Sequence, residues 1–170
     1  MRWTRRELLV AGAAATLLPR SARADAGALS AAARAALGTS PLVYVSPLKR
    51  DGAESRCHAE VWFAGDGDSA LVVTSAKAWR AQAIGKGLPR ARVWVGDHGV
   101  WDPSLKTRPF ERAPSFLAEA TLEKAHATHD HALTLLGSKY TAEWGSWGPR
   151  FKNGLADGSR VLIRYRAVSA

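Results

Sequence analysis

The segment Thr74-Ser75-Ala76-Lys77-Ala78-Trp79-Arg80 gathers the groups that an anion needs. Thr74 and Ser75 offer hydroxyl donors at the end of an apolar, β-branched run. Lys77 and Arg80 follow three residues apart, a spacing that sets both on one side of a helix. A strand passing into a helix start also leaves backbone N–H groups unpaired at the positive end of the helix dipole. An arginine placed there can grip a phosphate through two parallel hydrogen bonds. These residues predict an anion site. The plainer alternative is that Ser75 caps the helix and both cations are solvated.

The second cluster is His126-Ala127-Thr128-His129-Asp130-His131. His126 and His129 lie one helical turn apart and could share a metal with Asp130 or His131. A metal site usually needs three converging ligands, and His131 lies well round the helix from His126. The segment therefore reads as a solvated helix start, and no metal is expected. His58 and His98 are isolated in sequence. Cys57 and His58 are neighbours on an expected strand, so their side chains point to opposite faces and form no nucleophile–base pair. Cys57 reads as a buried, inert thiol. No Gly-x-Ser-x-Gly, His-Glu-x-x-His or Gly-x-Gly-x-x-Gly pattern occurs.

A domain must position these groups, and the composition bounds which kind. The chain has 170 residues, 24 Lys+Arg against 15 Asp+Glu, a net charge of +9, and 46% hydrophobic residues. That balance excludes a disordered, collagen-like or coiled-coil chain. A single cysteine excludes an intramolecular disulfide and any zinc site with two or more thiolates. The cations are scattered, with no stripe of interleaved aromatics, so no nucleic-acid partner is expected. A few converging cations suit an anionic small molecule better.

Residues 1–24 read as an address. Arg2, Arg5 and Arg6 precede an apolar run from Leu8 to Leu18, and Ala22-Arg23-Ala24 offers small residues at a cleavage site. The run is too short to cross about 30 Å of hydrocarbon as a helix, so no stable membrane insertion is expected. Thr4-Arg5-Arg6-Glu7-Leu8-Leu9 resembles a twin-arginine export signal. That resemblance implies passage through the twin-arginine machinery and a periplasmic or secreted protein. It also implies folding before export, often around a cofactor. The mature portion, 25–170, would carry a charge of +5 and form one domain.

Along that portion, an Ala-rich helix over 25–40 should end at Gly38-Thr39-Ser40-Pro41. Strands are expected at Leu42–Ser46, Cys57–Ala64 and Ala70–Ser75, the last two joined by the turn Gly65-Asp66-Gly67-Asp68. The period then changes to helical from Ala76 through Trp79, Ala83 and Ile84. Further strands are expected at Arg90–Val95, Phe116–Lys124 and Arg160–Val168. Residues 97–115 should be a long, site-covering loop. His126–Tyr140 reads as a helix, and Trp144, Trp147 and Phe151 as a Gly-interrupted segment packed over the core edge. So few helices cannot clothe both faces of a parallel sheet, so the expected class is α+β, built on a mainly antiparallel barrel.

The order of these elements, and several residues in them, resemble the split β-barrel family of flavin-binding proteins. That family includes pyridoxamine 5'-phosphate oxidases and deazaflavin-dependent reductases. The similar stretches are Leu42 to Gly52, His58-Ala59-Glu60-Val61-Trp62-Phe63, Val72-Val73-Thr74, Lys77 to Arg92, and Arg160-Val161-Leu162-Ile163-Arg164. The resemblance implies a six-stranded antiparallel split barrel with flanking helices. It implies that Thr74, Ser75, Lys77 and Arg80 contact a flavin phosphate, and that Val61 and Trp62 border the isoalloxazine ring. It further implies a homodimer with the ring at the subunit interface. FMN is the expected cofactor, with deazaflavin, haem held by a helix histidine, or none as alternatives. The function so implied is an exported FMN-dependent oxidoreductase, or else an exported split-barrel module without catalytic activity. The family segment Asn-x-x-x-Asn-Pro is represented only by Pro89 after Gln82-Ala83-Ile84-Gly85-Lys86-Gly87-Leu88.

Overall fold

The computed structural model describes residues 29–102, 104 and 107–169; residues 1–24, read above as an export signal, and the start of the helix expected over 25–40 lie outside them. Among the described residues four α-helices and seven strands follow one another: α1 (Ala31–Thr39), β1 (Leu42–Pro47), β2 (Ala59–Val61), β3 (Ala64–Asp66), β4 (Ser69–Ser75), α2 (Trp79–Gly85), β5 (Arg90–Gly96), β6 (Ser115–Glu123), α3 (His126–Lys139), α4 (Trp144–Asp157) and β7 (Arg160–Val168). The strands form one sheet in the order β2-β1-β5-β6-β7-β4-β3, and every neighbouring pair is antiparallel.

The strand count is seven where six were expected. The alternating run Cys57–Ala64 is not one strand but two, β2 and β3, and these occupy opposite edges of the sheet. Only Trp62 and Phe63 separate them. The two edges of the sheet are thus consecutive in the chain, which draws the sheet into a curl that almost closes. The Tyr140 hydroxyl sits on this seam. It accepts from the Phe63 N–H (2.9 Å) and is within donating distance of the carbonyls of Pro41 (2.7 Å) and Phe63 (3.0 Å).

Period-two alternation sorts the strand side chains into two layers. On the inner side, Val43, Val45, Ala70, Val72, Val93, Phe116, Ala118, Ala120, Ile163 and Tyr165 share one buried cluster with residues of α1 and α2. Alanines at Ala70, Ala91, Ala118, Ala120 and Ala167 keep the inward positions small, which allows a tight curl. On the other side, Leu71, Val73 and Leu162 pack against Leu136, Tyr140 and Phe151 of the α3–α4 layer. β4 and β7 are therefore covered on both faces.

α4 is the largest departure from the sequence reading. Its three glycines and Pro149 suggested an irregular segment, yet residues Trp144–Asp157 form a continuous helix. One of them, Gly148, serves packing together with Gly137 of α3. A Cβ on Gly148 would lie 2.8 Å from the Trp144 ring, and one on Gly137 of α3 would lie 2.7 Å from the same indole. The small residues thus let the Trp144 ring lie flush between the two helices. Gly158 then ends α4 in the left-handed conformation, φ 77°, which glycine adopts without strain.

Candidate functional site

A groove of about 550 Å³ opens where the seam, the ends of β4 and β7, and α4 meet. Its polar wall begins at Thr74 and Ser75, the last residues of β4. Thr74 is buried, and its hydroxyl accepts a 2.8 Å hydrogen bond from Nε of the half-buried Arg80. That bond spans the turn from β4 to α2 and fixes the guanidinium at the groove.

α2 does not begin at Ala76 as the sequence suggested. Its first residue is Trp79, and Ala78 at its N-cap makes no side-chain cap. Ser75 instead closes a tight turn: its Oγ accepts from the Lys77 N–H at 3.2 Å, and its carbonyl from the Ala78 N–H at 3.0 Å. Lys77 belongs to this turn and is exposed. It does not line the groove. The structure therefore brings Val61, Trp62, Thr74, Ser75 and Arg80 together and leaves Lys77 outside their wall.

Sequence reasoning missed Arg160, the first residue of β7. In the β4–β7 ladder Arg160 stands directly across from Ser75, and it lines the same groove as Arg80. Its guanidinium lies 5.1 Å from the ring centre of Phe151 and 5.9 Å from that of Trp147. Arginine alternation along β7 gave no hint of this, because the pairing partner decides it.

The apolar wall is aromatic. Trp62 stacks on Tyr140 with ring centres 4.3 Å apart and planes within 4°. Trp147 and Phe151 meet Trp62 edge-on at 5.9 and 6.3 Å. Burial pushes the Tyr140 hydroxyl up to about 12, so it stays protonated and keeps the seam bonded. Glu60 is the one acid among the described residues that line the groove, and it is engaged: its Oε2 accepts a hydrogen bond from the Trp101 N–H. The loop after β5, expected to cover a site, sends Val100 to the groove's rim with 79% of its surface exposed. Tyr44 anchors that loop, accepting from the His98 N–H at 2.8 Å and donating to the Gly99 carbonyl at 2.7 Å.

The histidine cluster does not converge. His129 bonds the Glu123 carbonyl at 2.9 Å, while His131 approaches Asp66 at 3.4 Å. Among the described residues no three metal-binding side chains come together. Asp66 is chiefly the partner of Arg164, whose second hydrogen bond goes to Glu123, both at 2.7 Å. Arg164 holds the Asp66 carboxyl below its usual range. His58 is buried among Trp94, Trp101 and Phe110 with neither ring nitrogen partnered among the described residues, and burial lowers its pKa. Cys57, expected to be buried, is half-buried and forms no disulfide.

No protein-family model matches this sequence, and no curated protein does. Solved structures do match. Rv2991, a conserved hypothetical protein of Mycobacterium tuberculosis, is similar with a TM-score of 0.56 and 18% identity, over 85% of each chain. The heme storage protein HutZ of Vibrio cholerae gives 0.55 at 11% identity, over 81% of this chain and 88% of that one. A candidate pyridoxamine 5'-phosphate oxidase from Listeria innocua gives 0.51 at 12% identity, over 80% and 90%. The fold is a split β-barrel of the pyridoxamine 5'-phosphate oxidase-like type. At these identities the likeness is one of fold. Within the split barrel, the groove described above is where two arginines and an aromatic wall face one space.

Proposed function

We propose that this split barrel is an exported flavin-binding oxidoreductase, with FMN as its cofactor. The observation that carries the reading is the groove itself. Arg80 and Arg160 both line it near the β4–β7 end, and Trp62, Trp147 and Phe151 line it as well. A cofactor with a flat, largely apolar ring and an anionic tail fits such a wall.

The residues present suit the parts of FMN. Thr74 and the two guanidiniums offer donors to the phosphate. β2 is an edge strand, so one row of its backbone groups near Val61 has no strand partner and is free to bond a ring edge. When bound, a flavin supplies hydride and electron transfer. The chain's own part is to bind and orient: Thr74 aims Arg80, the seam holds Trp62 against Tyr140, and the Val100 loop narrows the opening.

The exposed Val100 and the open groove also support a homodimer in which a second copy covers this face. Paired Arg5 and Arg6 support export to the periplasm. An absorbance spectrum of the protein purified from its own host, followed by FMN titration, tests the reading. Flavin bands and tight, saturable FMN binding are expected. A haem or deazaflavin spectrum would reassign the cofactor, and a colourless protein that binds none of the three would make it a ligand-binding module.

A further inference from the structure

The strap His98–Trp101 is held on the sheet by three devices. Tyr44 accepts from the His98 N–H at 2.8 Å and donates to the Gly99 carbonyl at 2.7 Å. Glu60 accepts from the Trp101 N–H. The third device is a box of rings around His58: Trp94, Trp101 and Phe110 stand 6.2, 5.5 and 5.6 Å from its imidazole, with Trp101 edge-on. His58, Glu60 and Trp101 line one small cavity of about 360 Å³ with Arg56. Glu60 and Val100 also line the groove, so the strap joins the box to the groove's rim.

His58 is the misfit in that box. It is 7% exposed, and neither ring nitrogen has a hydrogen-bond partner among the described residues. A neutral imidazole leaves one donor and one acceptor unmet there, whereas an imidazolium would leave two donors and a desolvated charge. The charges around it do not reverse this. Arg108 and Glu111, at the single 3-10 turn Pro109–Arg112, pair with each other at 3.1 Å; the first opposes a proton on His58 and the second favours it, both less than burial does. On its own segment stand Arg56, exposed, and Glu60, committed to Trp101. Glu54 faces Arg92 of β5 at 3.9 Å. Trp94 of β5 brings no charge, and Asp97 and His98 at the start of the strap are exposed.

We infer that His58 is an acid-sensitive switch: when its ring takes a proton the box opens, the strap His98–Trp101 is released, and the Val100 rim of the groove is freed. The proton seeks an acceptor outside the rings, and the carboxylate in the same cavity, Glu60, is the one that holds the Trp101 N–H. The packed ring resists protonation, while a released one has the ordinary value of about 6.5. The strap is therefore fully held above about pH 6.5 and loses its hold as pH falls, by up to about tenfold per pH unit. The flavin reading enters only through what the groove holds. The switch itself is a property of the chain.

The test is amide hydrogen exchange on the full-length purified protein from pH 7.5 to 5, corrected for the intrinsic exchange rate. In the wild type, protection of the His98 and Trp101 amides should fall by up to about tenfold per pH unit below about pH 6.5, while Ala118 and Ala120 of β6 stay protected. His58→Phe keeps a ring in the box and cannot take a proton, so its strap should hold at every pH. His58→Gln should give a weaker but equally flat profile, and serves if circular dichroism shows the phenylalanine variant unfolded. His98→Gln should respond as the wild type does. An equal fall in the wild type and the folded His58 variants overturns the switch. A wild-type profile that stays flat to pH 5, or one in which β6 loses protection together with the strap, overturns it too. FMN release, followed by flavin fluorescence, should quicken from pH 7.5 to 5.5 in the wild type beyond any change in His58→Phe. A strap that responds to acid through His58 in a protein that binds no flavin upholds the switch and rejects the flavin reading.

Discussion

Replacing Tyr140 with phenylalanine tests whether the seam holds the barrel closed. The substitution keeps the ring that stacks on Trp62 and removes one buried oxygen, only 7% of the residue being exposed. That oxygen accepts from the Phe63 N–H and can donate to the Pro41 carbonyl. Its loss strands a buried donor, which costs about 1–3 kcal/mol. For a domain of this size that corresponds to a fall in Tm of about 2–12 °C at pH 7. The effect also carries a pH signature. The hydroxyl is raised from 10 to about 12 by burial, so the unfolded chain gives up this proton before the folded one does. Stability from this group is complete below pH 10 and is lost as pH rises from 10 through 12, by an amount on the order of 2–3 kcal/mol. Other basic groups titrate in the same window, so the measured quantity is the difference between wild type and variant. Thermal or urea unfolding followed by circular dichroism at pH 7, 9 and 11 gives it. The gap between the two proteins should narrow as pH climbs. A gap that stays constant from pH 9 to 11, or a Tm change below about 1 °C at pH 7, would refute the assignment of Tyr140 as the latch.

Arg80→Glu should abolish FMN retention in a protein that still folds, whereas Lys77→Glu should change FMN affinity less than about threefold, because Lys77 stands outside the groove; titration of the two single variants separates them. Sedimentation of the mature chain at micromolar concentration should give twice the monomer mass, and a monomer alone would remove the homodimer from the proposal. Arg5→Lys with Arg6→Lys should leave an uncleaved precursor in the cell on immunoblotting, and normal export of that double variant would reject the twin-arginine route. Gly148→Ala should destabilise the α3–α4 layer, since its Cβ would meet the Trp144 ring at 2.8 Å, and a Tm equal to wild type would show that the indole moves aside freely.

Strand positions were legible because one-sided burial leaves a period of two, as in Phe116, Ala118 and Ala120 of β6. What the sequence could not display is what depends on pairing. Cys57–Ala64 alternates without interruption, and nothing local marks Trp62-Phe63 as the crossing between the two sheet edges. α4 was hidden for a related reason. Gly148 and Gly154 lower helix propensity, and their compensation lies elsewhere, in the Trp144 ring and the Arg160 stem that rest on them. Thr74 and Arg80 could be placed together from their spacing across a strand end. Lys77 shares that spacing, but the turn closed by Ser75 delays the helix and leaves Lys77 exposed, away from the groove.

The same logic explains why Arg160 carried no signal as one of several arginines in the last strand. Its meaning comes from three unrelated stretches. The β4–β7 register sets it opposite Ser75, α4 supplies a bare backbone for its stem, and two aromatics one helical turn apart, Trp147 and Phe151, lie under its charge. Moving the register by one residue would exchange it for a side chain of the other face. Adding one methyl group at Gly154 would lift its stem. Arg164 obeys the same register, yet carboxylates from β3 and β6 meet it and neutralise it. A strand that repeats one residue type thus yields a structural ion-pair centre at one position and a cation on the groove wall at another. The difference lies wholly in which neighbours the fold delivers to each.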